Sequence, residues 1–134
     1  MSKILGKQDI VQSNDQVLEL VEVPEWGGSV YVRSMMAAER GRIEADAAKF
    51  KETKGKDPGF AQTFTVRVAG LCMCDEQGNR LFSDSELDLL RQKNALPVSR
   101  VAEVAQRLSG FSKADLEALE KNSGTAQAGA SDTE

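Results

Sequence analysis

Residues 17–33 hold two runs of β-branched and other apolar residues on either side of a proline and two glycines. The runs are VLELVEV (17–23) and SVYVR (29–33), and the segment between them is Pro24-Glu25-Trp26-Gly27-Gly28. Residues of this kind favour extended backbone, and glycine tolerates the positive φ that a tight turn requires. The pattern predicts an antiparallel hairpin near the N-terminus, against which the rest of the chain must pack.

Helical periodicity dominates on both sides of this hairpin. One turn is predicted at residues 7–12, with Ile10 and Val11 covering an edge of the core. After the hairpin, apolar residues recur at the spacing of one helical face from Met36 to Phe50, so residues 35–50 are predicted to be a helix despite Gly41. Residues 51–59 are polar and aperiodic, which is typical of a loop.

The stretch FAQTFTVRVAGLCMC, residues 60–74, fits two periods. Phe64, Val66 and Val68 alternate as in a strand, whereas Phe60, Phe64 and Val68 also follow a helical stripe. A strand of this length without a turn signal is unusual, and a helix of this length is ordinary. The length favours a helix, with a central strand as the alternative.

Capping signals divide the remainder into short helices. Ser83 and Glu86 form an S-x-x-E capping box after a turn at 75–79, and Pro97 suits the first position of a helix that Gly110 ends. Ser112 caps a last short helix that ends near residue 122.

The predicted fold class is therefore α+β, an N-terminal antiparallel hairpin packed against about four α-helices. The chain has 134 residues, of which 40% are hydrophobic, and this suits a single domain spanning residues 1–122. Residues 123–134 are small, polar and aperiodic, and we expect a disordered tail there.

The composition excludes several functional classes. The chain contains no histidine, which removes imidazole bases, Ser-His and Cys-His nucleophile pairs and His metal ligands. Its 17 basic and 21 acidic residues give a net charge of −4, so nucleic acid is not an expected partner. Without a long apolar run or the apolar core of a signal peptide, we expect a soluble protein of the cytoplasm that contacts no membrane.

Two local patterns imitate metal sites. Cys72-x-Cys74 offers only two thiols, and zinc usually needs four ligands, so both cysteines are interpreted as small core residues. The twelve residues 75–86 resemble a calcium loop, but Arg80 stands where such a loop needs glycine. This segment is instead predicted to be a β-turn that leads into a capped helix, with Leu81 and Phe82 anchored in the core. Catalytic residues, cofactor sites and metal sites are accordingly not expected.

The candidate partner-binding residues are Trp26, Tyr31, Met35 and Met36. They include the single tryptophan and single tyrosine of the chain, followed by two methionines. Tryptophan is enriched in binding hot spots, and methionine suits adaptable surfaces, although both residues also fill cores.

The run VEVPEWGGSVYVRSMMAAERGRIEA, residues 21–45, resembles the N-terminal segment of tail assembly chaperones of long-tailed phages and prophages. That family has a V-P-E-W-G-G turn, a V-x-V-R strand and a helix that opens with A-E-R; here the last motif is Ala38 to Arg40. A D-x-x-G-N-x-L-F turn at 75–82 is also similar, and the resemblance extends over residues 3–122. Met36 departs from the Thr or Ser that the family has as helix cap, which moves the expected helix start to Ser34.

The resemblance implies a non-catalytic role. Such chaperones coat the tape-measure protein and keep it soluble in the host cell cytoplasm until tail-tube subunits polymerise around it. The tape-measure protein is thus the implied partner, and the resemblance also allows contact with the major tail protein and formation of a homo-oligomer. Two alternatives remain at this point: a small structural component of the tail or head–tail junction, and an enzyme or redox protein built on Cys72 and Cys74.

Removing residues 123–134 tests the predicted tail. The segment has no apolar anchor, so its deletion is expected to leave the midpoint of thermal unfolding unchanged. Circular dichroism of the full and shortened chains measures this midpoint. A fall of several degrees would show that the segment packs on the domain.

Overall fold

The computed structural model describes residues 3–52 and 58–111, with side chains except at 50–52 and 58–62. The predicted Ser112 helix and the tail lie outside these residues. Five α-helices, three β-strands and two short 3-10 turns are found within them. In chain order they are α1 (Lys7–Gln12), β1 (Leu18–Val23), a 3-10 turn (Pro24–Trp26), β2 (Gly28–Arg33), α2 (Ala37–Glu52), α3 (Pro58–Cys72), β3 (Met73–Cys74), a 3-10 turn (Asp84–Glu86), α4 (Leu87–Arg91) and α5 (Ala95–Leu108).

The predicted hairpin is confirmed as part of a three-stranded antiparallel sheet in the order β1-β2-β3. Leu20 lies opposite Tyr31 and Val21 opposite Val30, and the turn closes through Gly27 at φ 81°. A residue with a side chain would be strained at this φ, which explains the glycine. The predicted α+β class is therefore confirmed.

The third strand is absent from the sequence prediction. The helix predicted for residues 60–74 is confirmed over most of that stretch, but α3 ends at Cys72 and the next two residues pair with β2. Cys74 lies opposite Tyr31 and Met73 opposite Val32. This strand forms because β2 presents a second edge, which is a long-range effect that local periodicity does not encode.

The core lies between one face of the sheet and the helices. Helix α5 contacts β1 and β2, and α3 packs along α5. Side chains that alternate along the strands supply the sheet side, and a helical stripe supplies the other. The core residues with the least exposure include Val23, Val32, Val68, Cys72, Val101 and Ala105.

Glycine at position 70 permits the close contact between α3 and α4. A Cβ atom at Gly70 would lie 2.3 Å from a methyl carbon of Leu87 and 3.2 Å from one of Leu90. The missing side chain therefore allows these two leucines to approach the backbone of α3, and α4 lies directly on that helix.

Several local predictions need correction. Helix α1 forms at the predicted residues, but Ile10 and Val11 are 59% and 66% exposed, so they do not cover the core. Leu81 is also exposed, at 48%, and only its neighbour Phe82 packs against the core. Helix α5 begins at Ala95 instead of Pro97. Gly110 follows the end of this helix, as predicted, and its φ is 85°.

A buried ion pair joins the sheet to two helices. The Arg33 guanidinium donates two hydrogen bonds of 3.0 Å to the Glu39 carboxylate and one of 2.9 Å to the Leu71 carbonyl oxygen. Arg33 is 2% exposed and Glu39 is 8% exposed. One side chain of β2 thus holds the start of α2 and the last turn of α3.

Glu39 also caps the helix on which it lies. Its Oε1 accepts a 2.9 Å hydrogen bond from the Met36 backbone N–H, so α2 begins at Ala37 without a Ser or Thr cap. The expected start at Ser34 is therefore wrong. Burial opposes ionisation of Glu39, but the hydrogen bonds from Arg33 and Met36 outweigh it and lower the pKa of the carboxyl.

Replacing Glu39 with Gln is expected to destabilise the fold by about 3–5 kcal/mol, because the Arg33 charge stays buried without its counter-charge. Urea unfolding at neutral pH measures the loss. The double variant Arg33→Met, Glu39→Leu should lose less, since it removes both charges and retains apolar volume.

Acid supplies the control for this prediction. The pKa of Glu39 is lower in the folded than in the unfolded chain, so its stabilisation is present above the ordinary carboxyl pKa and disappears as pH falls through the folded value. The stability of the wild type should therefore fall more across that range than that of Glu39→Gln. Equal stability of the two proteins at neutral pH would contradict this assignment.

Candidate functional site

The hairpin turn is held against α5 by charge. The Arg100 guanidinium donates hydrogen bonds of 2.7 and 2.8 Å to the Glu25 carboxylate, and these bonds lower the pKa of Glu25 to about 2. Arg107 makes a similar contact with Glu19 of β1 at 2.8 Å. The turn therefore has a defined position beside the helix.

The four candidate partner-binding residues do not form one patch. Trp26 and Met35 are half-buried and pack against the core. Tyr31 lies on the opposite face of the sheet, because it pairs with Leu20 while the next residue, Val32, belongs to the core. Met36 is 58% exposed.

A small cleft runs beside the two methionines. It has a volume of about 220 Å³ and lies between residues 15–16 and the link from β2 to α2. Met35 and Met36 both line it, and the Met35 backbone N–H donates a 2.9 Å hydrogen bond to the Ser109 hydroxyl. The backbone of this link is thus held in place, while the Met36 side chain is accessible.

The outer sheet face, which comprises Leu18, Leu20 and Tyr31, is only partly covered. Leu20 is 55% exposed, and Leu18 and Tyr31 are half-buried. The segment before β1 also carries exposed apolar side chains: Ile4, Leu5, Ile10 and Val11 are 58–93% exposed. Exposed apolar surface of this kind is typical of contacts with other proteins.

The sequence patterns do not predict that the charged residues of the family motifs hold the fold together. Glu39 and Arg40 belong to the A-E-R motif, and Arg33 ends the V-x-V-R strand. Arg40 donates a 3.0 Å hydrogen bond to the Ser109 carbonyl oxygen, and its guanidinium carbon lies 4.5 Å from the centroid of the Phe111 ring. The sequence motifs are the only signal for these contacts, because the neighbouring residues of an arginine do not show whether its side chain is buried or exposed.

Cys72 and Cys74 are free thiols, and their predicted burial in the core is confirmed. Burial raises the pKa of Cys72 to about 12 and also raises that of Cys74. Both thiols are therefore protonated at neutral pH, and a protonated thiol is a poor nucleophile.

Asp75 does not complete a metal site with these thiols. Its carboxylate accepts hydrogen bonds from the backbone N–H groups of Gln77 and Asn79, which lower its pKa. Glu86 likewise accepts a 2.9 Å bond from the Ser83 N–H at the start of the following 3-10 turn. The predicted β-turn leading into a capped helix is confirmed.

Two negative findings apply to the described part of the chain. Its Cys, Asp and Glu side chains form no group of three or more that could hold a metal ion. Each helix within residues 3–52 and 58–111 falls short of the length and apolar character needed to cross a bilayer.

The sequence matches no protein-family model and no curated protein. The fold, however, is similar to the solved structure of the bacteriophage HK97 tail assembly chaperone, with a TM-score of 0.54 and 19% sequence identity. The similarity covers 79% of this chain and 95% of the HK97 chain. The chain therefore has the α+β fold of a phage tail assembly chaperone, and the resemblance found in the sequence is confirmed at the level of the fold.

Replacing Cys72 and Cys74 together with Ala tests the assignment of these thiols as core residues. We expect a loss of about 1–3 kcal/mol from reduced packing, with any partner binding unchanged. Urea unfolding and a pull-down measure the two effects. A folded variant that no longer binds would assign the thiols a direct role.

Proposed function

We propose that the protein is a non-catalytic phage tail assembly chaperone that binds the tape-measure protein and keeps it soluble in the host cytoplasm during polymerisation of the tail tube. The fold similarity to the HK97 tail assembly chaperone carries this proposal, since it extends over nearly all of that chain. A likeness of fold does not by itself identify a partner, so the surface must supply the rest of the support.

The surface suits a protein that holds apolar segments. Within the described residues, ten large hydrophobic side chains are roughly half exposed or more. They include an unbranched methionine, and side chains of this type adapt to partners of varied shape. Such contacts need no reactive group, and this agrees with buried, protonated cysteines and a chain without histidine.

The proposed contacts remain Trp26, Tyr31, Met35 and Met36. Met36 is accessible as it stands, and Tyr31 adjoins the exposed Leu20 on the outer sheet face. Trp26 and Met35 would contact a partner only through their exposed portions, and their substitution also weakens the core. Tyr31 and Met36 are therefore better positions for a test of binding.

A small structural component of the tail is the alternative function. The two proposals differ in where the protein is found after assembly, because a chaperone leaves the particle and a structural component stays. Mass spectrometry of purified virions should detect no copy of this chain.

Co-expression with the tape-measure protein of the same phage tests the function directly. The wild type should keep that protein in the soluble fraction, and Tyr31→Ala with Met36→Lys should lower its affinity by roughly thirtyfold, the effect of losing about 2 kcal/mol of contact energy. Binding by the Trp26→Ala variant is measured together with its thermal stability, because Trp26 also packs against the core.

Leu81→Lys is the matched control, because Leu81 is similarly exposed but lies outside the hairpin. It should bind like the wild type. If the double variant also binds like the wild type, the hairpin is not the contact. If the wild type leaves the tape-measure protein insoluble, the proposed function is wrong.

A further inference from the structure

A groove of about 510 Å³ lies between α3, α4 and α5, away from the hairpin. Its apolar lining includes Val66 of α3, Leu90 of α4, and Ala95 and Val98 of α5. Val66, Leu90 and Val98 are at most 8% exposed, so they form a floor that is part of the core. This volume lies in the range of pockets that receive several apolar groups.

Two exposed leucines adjoin lining residues of this groove in the sequence. Leu89 of α4 is 56% exposed and Leu96 of α5 is 68% exposed, and each is next in sequence to a lining residue. The described part of the chain leaves both of these side chains largely open to solvent. Their placement is typical of a surface that a partner covers.

One wall of the groove is basic. Arg91 and Lys93 both line it, and Lys93 has no ion-pair partner in the described part of the chain. Arg91 lies 3.6 Å from the Asp88 carboxylate, which is 84% exposed and largely hydrated. The first turn of α5, which begins at the same wall, contains no acidic residue. The wall therefore favours a negatively charged occupant.

We propose that this groove binds an amphipathic helix of the partner whose apolar stripe is flanked by Asp or Glu. An apolar floor with a charged wall is the arrangement by which grooves receive such helices, with apolar anchors one turn apart. The inference rests on the proposed function, since the helix is assigned to the tape-measure protein. It adds the chemistry of the segment and a second surface distinct from the hairpin.

The test uses overlapping 20-residue peptides that cover the tape-measure protein, each labelled with fluorescein and titrated with the full-length chaperone. The peptides that bind should combine an apolar stripe with acidic flanks. Replacing those flanking Glu or Asp residues with Gln or Asn should weaken binding roughly tenfold at low salt. Binding of the original peptides should also weaken as salt is raised.

Variants of the chaperone locate the site. Arg91→Glu with Lys93→Glu should weaken binding by a similar factor, and the neutral substitution Leu96→Ser should weaken it independently of salt. These side chains are exposed, so folding should be preserved. Lys7→Glu on α1 and Leu81→Ser are the controls for charge and for apolar exposure, and both should bind like the wild type.

Each remaining outcome overturns the proposal in an identifiable way. Binding by neutral or basic peptides alone would refute the acidic partner. If the wild type holds the tape-measure protein in solution and the groove variants do so equally well, the groove is not used and the proposed function stands. If Leu96→Ser only dissociates an oligomer, a second copy of the chain occupies the groove. Failure of the wild type to hold the tape-measure protein would overturn both proposals.

Discussion

The described domain depends on a guanidinium that has almost no access to water. Arg33 leaves the end of the central strand and reaches Glu39 at the start of α2 and the Leu71 carbonyl at the end of α3. An isolated charge at this depth would be strongly unfavourable, so the fold must bring all three groups together. The positions of α2 and of the strand that follows α3 are therefore coupled to one side chain of the hairpin.

This internal arrangement limits where function can lie. The hairpin turn is bound to α5 through Glu25 and Arg100, and Trp26 packs inward, so much of what looks like a recognition motif in the sequence has a structural role. The accessible apolar surface lies elsewhere, on the outer sheet face, in the segment before β1 and around the groove of α3, α4 and α5. These are separate surfaces of the described domain.

The similarity to the HK97 tail assembly chaperone agrees with this separation between residues that hold the fold and surfaces that are accessible to a partner. At 19% identity the two chains share a fold, and the residues through which this sequence resembles the family include those that assemble it here: Glu25 at the turn, Arg33 on β2, and Glu39 and Arg40 on α2. Apart from Trp26 of the turn motif, the surfaces proposed for binding use other side chains. Fold and partner choice can therefore vary separately, and only binding experiments assign the partner.

Local sequence determined the hairpin, the helical character of most of residues 60–74, the end of α5 shortly before Gly110 and the burial of the two cysteines. These features depend on backbone propensity and on apolar spacing within a few residues of each other. Tertiary structure alone decided that Met73 and Cys74 join the sheet, that Arg33 is buried, and that Ile10, Val11 and Leu81 remain exposed. Each of these features depends on which distant helix or strand packs against the residue, and the spacing of apolar residues along the chain does not encode this packing.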